Sequence, residues 1–475
     1  MNSLMYFLIA LLILFVACGS QTENQEETHQ SDFTATEVFA RAGLSFFPEG
    51  GDLTQSTFSS DLLTTEPISF EDINDEFTNI DDLRWLVDST GDSQCVLVGE
   101  THYYRYIENL KNRILFALNT ENYYPLAVYE SQYSLTPYIN YYLDIEDDST
   151  AEQFFSDELV FHLTYEDEHN RLSHIRRWNI KFPEKRIHIG CSDIEHDYTS
   201  TLNRILIPYF QQIDSALDIS VPDLTLEEIQ QLIPEFRVIL EEAAGSGVVG
   251  TYPFITNDYI RNVLDNLEST CVAYIDRQSF NQYRQSAIIR NLTSPDFFGE
   301  YFESGKVIIF AGFFHTGTHQ AFPVEDDSFT EGVYLNSEYE PTQGQTYSLV
   351  LMGYAYTFDA MSEIDISTCG HLGTGYRNTI TNMGRAFQEE VINYDDRILV
   401  RPIDDFDKLL LFSASESDFH PVRITEFDFE GIVQAAEQIS SQYVMQLRSR
   451  MDWSIGNHDA CILIPWSPIV TAMIE

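Results

Sequence analysis

The most informative pattern of apolar and polar positions runs from Cys95 to Glu130. Cys95 to Val98 is a short apolar run rich in β-branched residues, which predicts a buried strand. It passes into Gly99-Glu100-Thr101-His102, with a glycine where a strand hands over to a helix. Ile107, Leu110, Ile114, Leu115 and Leu118 then recur at helical spacing, with Lys111 and Arg113 between them. Leu126 to Tyr129 is a second apolar run, ending in Glu130. The pattern predicts a β-α-β unit whose two strands are parallel neighbours. Ligands of open parallel sheets bind beyond the carboxyl ends of the strands, so Glu100, His102 and Glu130 become candidates for chemistry.

The same alternation continues along the chain. Residues from about Phe70 to Val87 turn helical near their end, and helical segments fill much of Tyr133 to Asp197. Arg186 to Gly190 is a strand that runs into Cys191-Ser192-Asp193. Leu202 to about Ala244 is helical with a break at Pro222, and Tyr259 to about Leu292 is helical again. Lys306 to Gly312 is the cleanest strand, leading to His315 and His319. Further strands are expected at Tyr347–Tyr356, Ile398–Pro402, Leu409–Phe412 and Ala460–Pro465. The expected fold is α/β: a mixed, mainly parallel sheet with helices on both faces and a ligand cleft at the carboxyl ends of its strands. No repeat or linker divides residues 34–475, which are read as a single domain.

Composition changes this picture in two ways. With 475 residues, 44% hydrophobic and 13% aromatic, the chain can bury a sizeable core. Its formal charge of -49 speaks against nucleic acid as a partner, because nucleic-acid binding needs a basic footprint. The charge is read as a solvated surface. At the N-terminus an apolar stretch from Leu4 to Ala17 ends in Phe15-Val16-Ala17-Cys18-Gly19. It is short for a bilayer span, and small residues before a cysteine resemble a bacterial lipobox. Residues 1–18 are therefore expected to be a lipoprotein signal peptide, with lipid on Cys18. Residues 19–33 would be a polar, acidic tether, and the protein would sit in the cell envelope, outside the cytoplasm. Cys95, Cys191, Cys271, Cys369 and Cys461 show no zinc or disulfide spacing, and those beside or within apolar runs read as buried thiols.

Four strand ends thus carry polar groups: Glu100 with His102, Glu130, Asp193, and His315 with His319. A His beside carboxylates can act as a general base on water, because the anion orients the imidazole and stabilises its charged form. Each residue also has a plainer reading. Glu100 can cap the following helix, Asp193 can be a loop or capping residue, and His319 is preferred as an ordinary hydrogen-bonded side chain. Glu130 needs a partner, because burying a lone carboxylate is costly.

Taken together, the motifs resemble the superfamily that joins erythromycin-esterase-type hydrolases with ChaN-like haem-binding lipoproteins and Tiki-type proteins. The likeness rests on Asp82-Leu83-Arg84-Trp85-Leu86, on Val96-Leu97-Val98-Gly99-Glu100, and on Gly-Glu-Thr-His, one residue shorter than the esterase signature and closer to the ChaN form. It continues in Lys111-Asn112-Arg113-Ile114-Leu115, Ala127-Val128-Tyr129-Glu130 and Ile189-Gly190-Cys191-Ser192-Asp193. Arg284 and Asn291, Phe310-Ala311-Gly312-Phe313-Phe314-His315, and Asp459-Ala460-Cys461-Ile462-Leu463 complete it. The resemblance implies a metal-independent hydrolase of esters or lactones with no cofactor and a small-molecule substrate. Glu100, His102, Glu130 and His315 would be catalytic, and Lys111, Asp193, Arg284 and Asn291 would face the substrate. The alternatives are a binding lipoprotein for haem or a divalent metal, with a Tiki-like metal-dependent peptidase as a variant, and a surface protein that has lost its activity.

Overall fold

The computed structural model describes residues 63–69, 71–102, 105–160, 163, 166–213, 224–243, 252–318, 330–357, 398–400, 422–427 and 458–468. Within them a nine-stranded sheet has the order β1-β8-β9-β6-β2-β5-β3-β4, with β7 paired to β6. The strands are β1 (Leu63–Pro67), β2 (Cys95–Glu100), β3 (Leu126–Gln132), β4 (His188–Asp193), β5 (Val307–Gly312), β6 (Thr346–Thr357), β7 (Ile398–Val400), β8 (Val422–Phe427) and β9 (Ala460–Pro468). The run β4-β3-β5-β2-β6-β9 is parallel throughout, and β1, β7 and β8 join antiparallel. The chain is therefore an α/β protein with a mainly parallel sheet.

The central strands are legible as apolar runs because they are covered on both faces. Every residue of β2 and of β5 is buried. Helix Arg105–Asn122 follows the expected spacing and buries Ile107, Leu110, Ile114, Leu115 and Leu118 completely. Arg113 is buried with them and donates to the carbonyls of Ser69 and Asn79 and to the Asp82 carboxylate, which ties the segment before helix Arg84–Ser89 to the core.

One expectation needs correction. β2 and β3 are parallel but are not neighbours, because β5 lies between them and pairs with both. The β-α-β unit is a split one: its helix crosses over a gap that a strand almost two hundred residues later fills. β1 and β8 pair with each other at one edge, where no strand was expected. The expected Tyr259–Leu292 segment is two helices, Asn257–Ile275 and Phe280–Thr293. The signal peptide, Cys18, the tether, His319, Cys369 and the strand expected at Leu409–Phe412 lie outside the described residues. Cys95, Cys191 and Cys271 are free, buried thiols.

Candidate active site

The insertion of β5 sets the geometry of the site. Glu100 ends β2 level with Gly312 of β5, and Tyr129 of β3 is level with Phe310. Glu130 thus flanks Gly312 from the other side. The pairing of β3 with β4 slips here: three steps on β3, Tyr129 to Gln132, match two on β4, Cys191 to Asp193. The extra residue is a bulge at Glu130–Ser131, the kind of irregularity that re-aims a side chain at a sheet end. Glu130 Oε2 accepts from the Gly312 amide at 2.5 Å.

Two glycines make this closeness possible. A Cβ on Gly312 would stand 2.9 Å from His102 Nε2 and 3.3 Å from Glu130 Oε2. A Cβ on Gly99 would stand 2.2 Å from Thr316 Oγ1, so the absent side chain lets the Phe313–Thr316 turn cross over β2. That turn brings His315 back over the strand ends.

His102 occupies one side of the cleft. Its Nδ1 is 3.0 Å from Glu100 Oε1, and its Nε2 is 4.0 Å from Glu130 Oε2. The second oxygen of Glu100 is 2.5 Å from Lys111 Nζ. Burial raises the Glu100 pKa, but Lys111 and His102 together bring it down to about 2, so Glu100 is an anion at neutral pH. An ionised Glu100 accepts a hydrogen bond from the Nδ1–H of His102, which leaves Nε2 as the basic nitrogen. The His102 side chain is 41% exposed. Burial lowers its pKa, yet the hydrogen bond from Glu100 and the charges of Glu130 and Glu100 raise it above the ordinary value, against an opposing pull from Lys111.

His315 stands opposite in a different setting. Its Nδ1 is 3.1 Å from both Glu331 Oε2 and Gln285 Oε1, and its Nε2 is 3.4 Å from Glu130 Oε1. Burial works against the charged form, but Glu331 and Glu130 overcome it and push the pKa up to about 9. His315 is therefore an imidazolium at neutral pH, with a carboxylate at each ring nitrogen.

Arg284 joins the two remaining strand ends. It donates to Glu130, and its Nε and Nη2 reach Asp193 at 2.9 and 2.5 Å. Burial alone would lower the Arg284 pKa, but the Asp193 and Glu130 charges raise it further above its already high value. Glu130 is held at about 2, where burial is outweighed by His315, Arg284 and His102. Asp193 lies well below the usual carboxylate range: burial opposes ionisation, and Arg284 and His196 override it. Arg284 Nη1 and His315 Nε2 lie 3.4 Å apart, so two cationic groups stand side by side against Glu130.

The structure thus brings Glu100, His102, Glu130, Asp193, Arg284 and His315 into one contiguous cluster at the strand ends. Two residues expected to face the substrate are set back from it. Lys111 is 3% exposed and lies between Glu100 and Glu108. Asn291 is fully buried and donates to the Ser192 carbonyl and to Asn266, which makes it a brace for the end of β4. Sequence reading missed Glu331, Gln285 and His196, all in contact with the expected groups. His196 Nε2 is 2.8 Å from Asp193 Oδ2, and its Nδ1 is 2.8 Å from the Tyr274 hydroxyl. A His three residues after a candidate Asp was a usable signal. Glu331 had none, since it sits in the first turn of a short helix, Glu331–Ser337, that the chain's periodicity does not mark. Phe314, the residue before His315, is exposed with its ring stacked on Phe313.

Each carboxylate at the strand ends faces a protein cation or imidazole. Among the described residues no cluster of three or more His, Cys, Asp or Glu is arranged to hold a metal.

No family model matches the chain, and no curated protein matches it in sequence. A structural match was found to a succinoglycan biosynthesis protein, with a TM-score of 0.51 and 12% identity over 88% of this chain and 97% of that one. The fold is shared with that protein. At this identity the likeness extends to the fold alone. A Bacillus cereus protein aligns at a TM-score of 0.48 and 14% identity over 89% of this chain and 100% of its own. A mutant of the erythromycin esterase EreC, in its open conformation, aligns at 0.48 and 10% identity over 86% of this chain and 98% of its own.

Proposed function

We propose that the chain is a hydrolase of carboxylic esters or lactones in which His102 activates water. The supporting observation is the division of labour between two imidazoles in one cleft. His102 is anchored to an ionised carboxylate at Nδ1 and turns Nε2 toward Gly312 and Glu130, while His315 is held protonated beside Arg284. A water between His102 Nε2 and Glu130 gives its proton to Nε2 as its oxygen forms a bond to the substrate carbonyl carbon. The carbonyl oxygen gains negative charge and is met by the Nη1–H of Arg284, with the charge of the neighbouring His315 imidazolium beside it. The intermediate then collapses, the bond to the leaving oxygen breaks, and that oxygen takes the proton from His102. Ester and water become acid and alcohol, with His102 returned to its starting state.

Turnover of a panel of aryl esters and lactones tests this reading. His102→Ala is expected to reduce kcat about 10²–10⁴-fold on any substrate found. Unchanged turnover in that variant overturns the assignment. The resemblance to ChaN-like lipoproteins motivates one further titration, with haem. A Soret band that depends on His102 replaces the hydrolase with a binding protein.

A lipid anchor at Cys18 belongs to the same proposal and places the enzyme at a membrane of the cell envelope. Among the described residues no helix is long and apolar enough to cross a membrane. Metabolic labelling with palmitate is expected to mark the wild-type chain and not Cys18→Ser. Equal labelling of both removes the anchor.

A further inference from the structure

A row of buried charges leads away from the cleft behind Glu100. Glu100 uses its two oxygens on different partners, Oε1 on His102 Nδ1 at 3.0 Å and Oε2 on Lys111 Nζ at 2.5 Å. Glu108 does the same one step further back, with Oε1 2.8 Å from Lys111 Nζ and Oε2 2.5 Å from Arg171 Nη1. Lys111 and Glu108 share helix Arg105–Asn122 at a three-residue interval, so both project from one face of it. Arg171 comes from a separate helix, Glu166–Lys181, and its guanidinium lies 4.4 Å over the ring of Tyr129, the residue before Glu130. All four charged side chains behind His102 are buried. The signs alternate without interruption from Arg171 to the imidazole.

Such a row is costly to build inside a protein, and a packed apolar replacement would often be at least as stable. A role in folding alone therefore accounts for it poorly. It ends on one functional atom, His102 Nδ1, and no member can rotate without breaking two contacts. From this geometry we infer that Glu108 and Arg171 are positioning residues, which act through Lys111 and Glu100 to fix the orientation of His102 and set its basicity. The inference rests on the reading of His102 as the base and extends it to residues that never touch substrate.

The alternation makes the sign of each perturbation definite. Removing a cation from the row leaves the imidazolium better compensated, and removing an anion leaves it worse compensated. The other charges around His102 stay in place: Glu130 faces it from β3, with Arg284, Asp193 and His315 behind Glu130. Lys111→Met is expected to move the His102 titration midpoint up by about one pH unit, and Glu108→Gln to move it down by a smaller amount. Arg171→Met, furthest away, moves it up least.

The experiment is an NMR titration of the full chain carrying isotope-labelled histidine, with the His102 resonance assigned by its loss in His102→Gln. Opposite shifts in Lys111→Met and Glu108→Gln support the inference. No shift in either, or shifts of the same sign, overturn it. Should Lys111→Met fail to fold by circular dichroism, the isosteric Glu108→Gln decides alone: a downward shift supports and an unmoved midpoint overturns. The readout needs no substrate, so it stays interpretable if the panel of esters shows no turnover. Where turnover is found, the acidic limb of the kcat/KM profile is expected to follow the NMR midpoint in each variant.

Discussion

The two imidazoles of the cleft are the same chemical group in two settings. His102 meets Glu100 closely at Nδ1 and Glu130 only at 4.0 Å from Nε2, with a lysine behind Glu100 to moderate its pull. His315 is nearly enclosed and meets carboxylates at both nitrogens. The first setting raises the His102 pKa above its ordinary value against the pull of burial and Lys111, and the second locks the ring as a cation to about pH 9. Role follows from environment: residue identity alone would assign both histidines either task.

The largest test of this contrast removes the locked cation. His315→Gln keeps a hydrogen-bond donor but loses the charge, and kcat is expected to fall about 10²–10³-fold with KM little changed. A fall in binding without a fall in kcat would mean that His315 only holds the substrate.

A smaller effect comes from weakening the lock. Activity needs His102 deprotonated and His315 protonated, so kcat/KM is expected to rise with pH through the His102 midpoint, above 6.5, and to fall near 9. Glu331→Gln removes the charge that raises His315 most, and therefore moves the alkaline limb to lower pH while the acidic limb stays. A profile whose acidic limb moves instead would exchange the two roles.

The smallest expected effect is on stability. The His315 pKa is raised on folding, so its stabilisation is complete below about pH 6.5 and is lost as pH rises through 9. A shift of that size corresponds to on the order of 3 kcal/mol. Glu100 and Glu130 have lowered pKa values, so theirs is present above about pH 4.5 and is lost as pH falls toward 2. Denaturant midpoints at pH 6 and pH 9.5 check the alkaline side. The wild type should lose more stability between them than His315→Gln, and equal losses would show that the imidazolium carries no folding energy.

Much of this arrangement can be read along the chain. A strand covered on both faces must be apolar throughout, which is why β2 and β5 stand out, and a polar residue just past such a run falls at the mouth of a parallel sheet. Glu100, Glu130, Asp193 and His315 were legible for that reason. Arg284 and Asn291 are seven positions apart, two helical turns, and so share a face. Depth is another matter: Arg284 reaches the carboxylates and Asn291 is sealed beneath the β4 end, a difference that packing against neighbouring elements decides.

By itself the sequence marked the central strands of the sheet, the polar residues at the carboxyl ends of several of them, and the need of a buried Glu130 for a partner. Periodicity is a local signal. It reports that a face is buried and says nothing of what lies against it. Only the tertiary structure decided that β5 enters between β2 and β3, which sets His315 between two glutamates. It alone placed Glu331 against that ring and Arg171 at the far end of the buried row. Those contacts join residues far apart in the chain, and they form because lateral strand order and helix packing are settled by the fit of whole surfaces.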